Sequence, residues 1–312
     1  MHSTRIATLL LALAVMVGGC TRPPPLEQAP VTAKTVEDLQ GYLLKQKPDV
    51  GVFRLRGPFK VETLKNHVLR VSPTDRIVTD LFLTTAPEKA GVVIFMHGYD
   101  VSKEAHEYQA AHMASWGLHA ITVQLPKRSQ WMSNGRMLAR ITALLHRLPA
   151  IVSNRIDGNK IILVGHSFGA TSVAVALGEG APAMGGILLD PAAIGRDLPK
   201  LLQRVTKPVI VLGADETVDV TRNRDWFYRF VRGSIAEVSI RNASHEDAQY
   251  PSQSSLDNFG IDPYTSEEAQ MMFSAAIVSA ALSLSATGGF EQAWSTFAPA
   301  IQTGQLFNAR KK

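Results

Sequence analysis

The chain has 312 residues, of which 46% are hydrophobic and 19% charged, with a formal net charge of +5 and a single cysteine. That composition supplies a full buried core and excludes the disordered, collagen-like and disulfide-stapled classes. The positive excess is mild and spread out, and its one run, Arg310-Lys311-Lys312, reads as a frayed tail, so no nucleic-acid partner is expected.

The first nineteen residues have the layout of a secretory signal: His2 and Arg5, an apolar run from Ile6 to Val17, then Gly18-Gly19 before Cys20. The apolar run is short for a membrane span. Val17-Gly18-Gly19-Cys20 resembles the lipobox of bacterial lipoproteins, with valine where leucine is commoner. The resemblance implies cleavage before Cys20, lipid attachment to Cys20, and an extracytoplasmic protein anchored to a bacterial membrane. An exported chain with one cysteine has no internal thiol partner, which lipidation accounts for. The expected organisation is therefore a signal over 1–19, a tether over 20–34 carrying Pro23-Pro24-Pro25, and one domain over 35–312.

Thr35 to Lys45 is expected to be a short helix, with Val36, Leu39 and Leu43 or Leu44 on one face. Three strands follow, Gly51–Arg56, Val68–Val71 and Ile77–Leu83, read as antiparallel edge strands. From Gly91 strand and helix alternate, the pattern of a mostly parallel sheet with helices on both faces. The expected strands are Val92–Met96, His119–Leu125, Ile161–Val164, Gly186–Leu189, Val209–Leu212 and Ala236–Arg241. The expected helices are Lys103–Trp116, Arg136–Ile151, Phe168–Leu177, Leu198–Val205, Arg222–Phe230 and Ser266–Leu284.

Gly165-His166-Ser167-Phe168-Gly169 sits between an apolar strand and a small-residue helix, the context that turns a G-x-S-x-G string into a nucleophile elbow. A serine on such a turn projects its hydroxyl above the sheet, and the two glycines remove side chains that would collide with strand and helix. His97-Gly98-Tyr99-Asp100 follows the strand at Val92, and His245 follows the last parallel strand. Together these features resemble the α/β-hydrolase fold over roughly Gly51 to Leu284, without a large cap domain. Gly98-Tyr99 and the elbow are similar to bacterial polyester hydrolases of the cutinase type, chlorophyllases and platelet-activating-factor acetylhydrolases. The chain departs from them at Ala170, where a second glycine is frequent, and it cannot form the carboxy-terminal disulfide of many bacterial cutinases.

Serine is a poor nucleophile alone and needs a base and an orienting acid. Of nine histidines, His245 is the one placed in a loop after the final parallel strand. Two acids compete. Asp190 ends the strand after the elbow, where the resemblance to chlorophyllases and the acetylhydrolases puts the acid. Asp215 ends the next strand, where most α/β-hydrolases keep theirs, and the ungapped cutinase comparison falls on Thr217. Asp190 is preferred, with Asp215 as the alternative. Backbone N–H groups of Tyr99 and Phe168 are the expected oxyanion donors. Tyr99, His166 and Trp131, with Met132, are the expected substrate contacts. The reading is a serine esterase acting on a small-molecule, lipid or polymer ester without metal or cofactor. Phospholipase- or thioesterase-like specificity, acyl transfer and an inactive envelope binding protein are the alternatives. The Ser/Pro/Asp/Gly-rich stretch from Glu246 to Ser266 is expected to lie along one edge of an open cleft.

Overall fold

The computed structural model describes residues 27–125, 130–193, 195–215, 224–252 and 265–312. The expected signal, Cys20, the front of the tether, Thr217 and the middle of the 246–266 stretch lie outside them. Among the described residues nine strands form one sheet: β1 (Val61–Arg70), β2 (Arg76–Thr84), β3 (Ala90–Met96), β4 (His119–Gln124), β5 (Ile156–His166), β6 (Gly185–Leu189), β7 (Val209–Gly213), β8 (Ile235–Ile240) and β9 (Leu306–Lys311). Their spatial order is β1-β2-β4-β3-β5-β6-β7-β8-β9. The run from β4 through β3 to β8 is parallel, while β1, β2 and β9 are antiparallel to their neighbours.

The parallel strands bury both faces. In β3, Val93 and Phe95 face one core while Val92, Ile94 and Met96 face the other, and in β5, Ile162 and Val164 oppose Ile161 and Leu163. This is why these segments read as continuous apolar runs rather than alternating ones. Helices α1 (Val36–Gln46), α2 (Glu107–Ser115), α7 (Glu267–Thr287) and α8 (Glu291–Gln302) cover the first face. The second face is covered by α3 (Trp131–Arg147), α4 (Phe168–Gly178), α5 (Leu198–Leu202) and α6 (Arg224–Phe230). Helix α7 is long and apolar enough to cross a membrane, yet nearly all of it is buried inside the domain, as befits a core helix.

Several expectations are corrected. Gly51–Arg56 is not a strand: Val50–Arg54 is a 3₁₀ turn capped by Asp49, whose carboxylate accepts from Gly51 N at 2.6 Å. Val68–Val71 is the far end of β1, which starts at Val61 and bulges between Leu64 and His67. Arg310-Lys311-Lys312 is no frayed tail. Leu306–Lys311 forms β9, and Arg310 hydrogen-bonds Glu237 at 2.8 Å and Asp225 at 2.6 Å. From Glu27 the chain already lies on the domain, with Gln28 bridged to Arg56 and Ala29 and Val31 buried, so the tether does not extend to residue 34.

Candidate active site

The carboxyl ends of β3, β5, β6 and β8 open onto one crevice, where α/β sheets bind ligands. The strand β5 ends at His166, and Ser167 forms the turn into α4 with φ 54° and ψ −118°. A left-handed φ on a non-glycine residue costs energy, and the surroundings must enforce it. They do: Ser167 N donates to Leu189 O at 3.0 Å, and Ser167 O accepts from Ala192 N at 3.2 Å. The flanking glycines are steric requirements. A Cβ on Gly165 would stand 2.5 Å from the Gly169 carbonyl carbon, and one on Gly169 would stand 2.5 Å from the carbonyl oxygens of both Met96 and His97.

Asp190 follows β6, also at positive φ (36°), and is 2% exposed. Its Oδ2 meets His245 Nδ1 at 2.6 Å, its Oδ1 accepts from Ala214 N at 3.0 Å, and Arg224 Nε stands 3.9 Å away. Burial pushes the carboxyl up, but the His245 bond and charge, Arg224 and the Ala214 N–H together hold it below its ordinary range. A carboxylate can only accept, so His245 carries its proton on Nδ1 and leaves Nε2 for another partner. His245 and Ser167 line the same cleft of about 260 Å3, together with Gly98, Tyr99, His166 and Phe168.

The alternative acid, Asp215, has a different place. Fully buried, it accepts from Asn242 N at 2.9 Å, donates its own N–H to Ala243 O at 2.8 Å, and faces Arg241 Nη1 at 3.6 Å. It braces the start of the histidine loop while Asp190 takes the imidazole. Asp247 braces the other end, its Oδ2 accepting from Ser244 N at 2.8 Å and its Oδ1 from Ser266 N at 2.7 Å, which ties the loop to the start of α7. The spacing Ser244-His245-Glu246-Asp247 is the S-x-x-D pattern in which the acid reaches back to the backbone N–H three residues before it, and it could have been read from the sequence.

His97 acts on the neighbouring loop. Its Nε2 accepts from Leu125 N at 3.4 Å and faces Gln124 Nε2 at 3.1 Å, so Nδ1 carries the proton and donates to Gly98 O at 2.9 Å. In a trans peptide the carbonyl and the following N–H point opposite ways, so pinning Gly98 O also aims Tyr99 N–H away from His97. Gly98 is pressed onto the elbow: a Cβ there would stand 3.4 Å from Ser167 Cβ and 3.1 Å from His166 Nδ1. The rings of Tyr99 and Phe168 meet at 5.2 Å, and Tyr99 is 44% exposed at the mouth.

His166 is 2% exposed, with its ring 4.4 Å from that of His245. Burial first, then the neighbouring His245 and His106, hold it well below the usual histidine value, so it is a neutral ring packed against that of His245. Trp131 is the expected contact that the fold moves elsewhere. It opens α3 rather than lying on a loop, packs against the second core and Gly195, and is absent from the cleft walls.

Residues 93–300 match the model of the alpha/beta hydrolase family, well over half of the chain, and the chain belongs to that family. Its sheet, with antiparallel strands at the amino end and helices on both faces, is consistent with that membership. The comparison with curated proteins returned no match.

Proposed function

We propose that this hydrolase-family member is a serine carboxylic ester hydrolase working through Ser167, His245 and Asp190. The observation that carries the reading is the 2.6 Å bond between His245 Nδ1 and buried Asp190, beside a serine held at positive φ on the elbow. His245 Nε2 takes the proton of Ser167 as Oγ attacks the ester carbonyl, and Asp190 stabilises the imidazolium that forms. The developing oxyanion is received by the N–H groups of Tyr99 and of Phe168, the latter at the first turn of α4, each donor lowering the barrier by about 3 kcal/mol. Collapse expels the alcohol with the proton from His245. A water, deprotonated by the same histidine, then releases the acid.

The cleft of about 260 Å3, walled by Tyr99 and Phe168, suits a compact acyl group or the end of a longer chain presented at the surface. Cys20 is proposed as the lipid anchor that holds the domain on the outer side of a bacterial membrane.

A fluorophosphonate probe, followed by p-nitrophenyl esters of graded chain length, tests the chemistry. Wild type should be labelled and turn over esters. Ser167→Ala should lose labelling and fall below a few per cent of activity with a nearly unchanged melting temperature, because the substitution removes one small hydroxyl at the cleft and leaves the Cβ and the backbone bonds of the turn in place. Retained turnover in Ser167→Ala would overturn the reading.

A further inference from the structure

We propose that Arg224 is a positioning residue for this reaction: lying in the gap left by Gly213, its buried guanidinium holds Asp190 as a carboxylate facing His245 and lowers the pH at which His245 becomes free to accept the serine proton. The inference rests on the serine-hydrolase reading and concerns a residue that touches no substrate.

Three features carry it. Arg224 is 2% exposed, at the start of α6, and an arginine that buried requires an anion close by. Asp190 Oδ1 stands 3.9 Å from its Nε, and Arg224 Nη1 donates to Ser239 Oγ on β8, which fixes the guanidinium between the two strands. The route exists because residue 213 has no side chain: a Cβ there would stand 2.5 Å from Arg224 Cδ and collide outright with Nη1. Gly213 needs no special backbone angle. Its lack of a side chain is explained by the arginine beneath.

Among the described residues the other charged groups around the pair are engaged elsewhere as well, and Glu237 also feels the Arg224 charge. Glu237 on β8 receives hydrogen bonds from Arg310 on β9, which also binds Asp225 on α6. Asp215 after β7 serves Asn242 and faces Arg241. His166 at the end of β5 is neutral, and Glu246, beside His245, accepts from Gln249 Nε2 at 2.6 Å. Among the described residues, Arg224 is the cation set against the inner oxygen of Asp190.

The sign follows from treating His245 and Asp190 as one coupled acid. Protonating the pair takes its charge from −1 to 0, and a fixed cation opposes that step whichever atom receives the proton. Removing the cation must therefore move proton uptake to higher pH, by about one unit for a charge at this range and partial screening.

The decisive measurement is the titration of the His245 imidazole by NMR in wild type, Arg224→Met and Arg224→Lys, each checked for folding by its melting curve. Arg224→Met should titrate about one unit higher, and Arg224→Lys, which keeps the charge, should recover most of the difference. The acid limb of kcat/KM should move with it. If Arg224→Met does not fold, Gly213→Ala keeps the arginine but denies it its place, and should shift in the same direction. An unshifted His245 in a folded variant overturns the role of Arg224. The readout needs no ester turnover, so it is distinct from the Ser167→Ala result that would overturn the esterase reading.

Discussion

Among single residues, the two aspartates show how similar sequence contexts diverge. Asp190 and Asp215 each follow an apolar parallel strand, and both are buried. What separates them is the object each carboxylate meets: His245 Nδ1 for Asp190, and Asn242 N and Arg241 for Asp215. Asp190→Asn keeps the shape and removes the charge that stabilises the imidazolium, so kcat should fall by about four orders of magnitude. Asp215→Asn weakens the brace on the histidine loop and should lower stability by about 1–3 kcal/mol, with at most a tenfold loss in kcat. Measuring kcat and the urea midpoint of both variants on one ester checks this, and the reverse kinetic ranking would transfer the acid to Asp215. The sequence favoured Asp190 only through a resemblance between families. Arg224 could not be found that way, because nothing in a polar stretch announces which arginine a distant glycine will admit.

At the scale of elements, the sequence was most legible where burial is strongest. The elbow and the carboxyl ends of β3 and β6 were read to the residue, since a strand buried on both faces leaves an unbroken apolar run, while β5, expected over Ile161–Val164, runs on at both ends to Ile156–His166. Misreadings fell where local chemistry or a late partner decides. Asp49 converts an apolar stretch into a 3₁₀ turn, and β9 becomes a strand only because β8 offers an edge and Glu237 a counter-charge for Arg310. Trp131 was misplaced because α3 begins five residues earlier than its apolar spacing indicated. The junction of β3, β5 and α4 yields its own prediction. Gly169 lies against the carbonyl oxygens of Met96 and His97 at a distance no real Cβ tolerates, and neither strand can yield without moving Gly98. Gly169→Ala should therefore cost about 1–3 kcal/mol or more of stability and also depress kcat, because the Tyr99 and Phe168 N–H groups separate. Thermal melts and single-turnover kinetics measure the two effects. Loss of stability with unchanged kcat would mean that the elbow and the Gly98 loop are not coupled.

Taken whole, the molecule carries two constraints that no single site reveals. The chain is fixed to the domain from Gln28, so a lipid on Cys20 would leave a reach of at most about 30 Å and keep the cleft close to the membrane. Cys20→Ser should then move the protein from the membrane to the soluble fraction in detergent-free lysis, and unchanged membrane association would indicate an uncleaved apolar anchor instead. The second constraint is acid lability. His106, His112 and His119 are buried in the fold and pushed down to about 4, chiefly by burial, against 6.5 when exposed. Each accordingly binds its proton more readily in the unfolded chain, so stability rises with pH across this window: it is complete above about 6.5 and is lost progressively as pH falls towards 4. At pH 5 the loss is about 2 kcal/mol per histidine, enough in sum to consume much of the margin of an ordinary domain. Two of these rings tie distant parts of the chain together, His112 Nε2 to Phe53 O at 2.6 Å and His119 Nε2 to Arg155 O at 3.1 Å, so the buried charge that protonation places on them should loosen the domain as a unit. Urea unfolding at pH 7.5, 6 and 5 should show a steadily falling midpoint with one cooperative transition at each pH. A midpoint that stays level from pH 7.5 to 5 would show that these rings are charged, or exposed to water, in the native state.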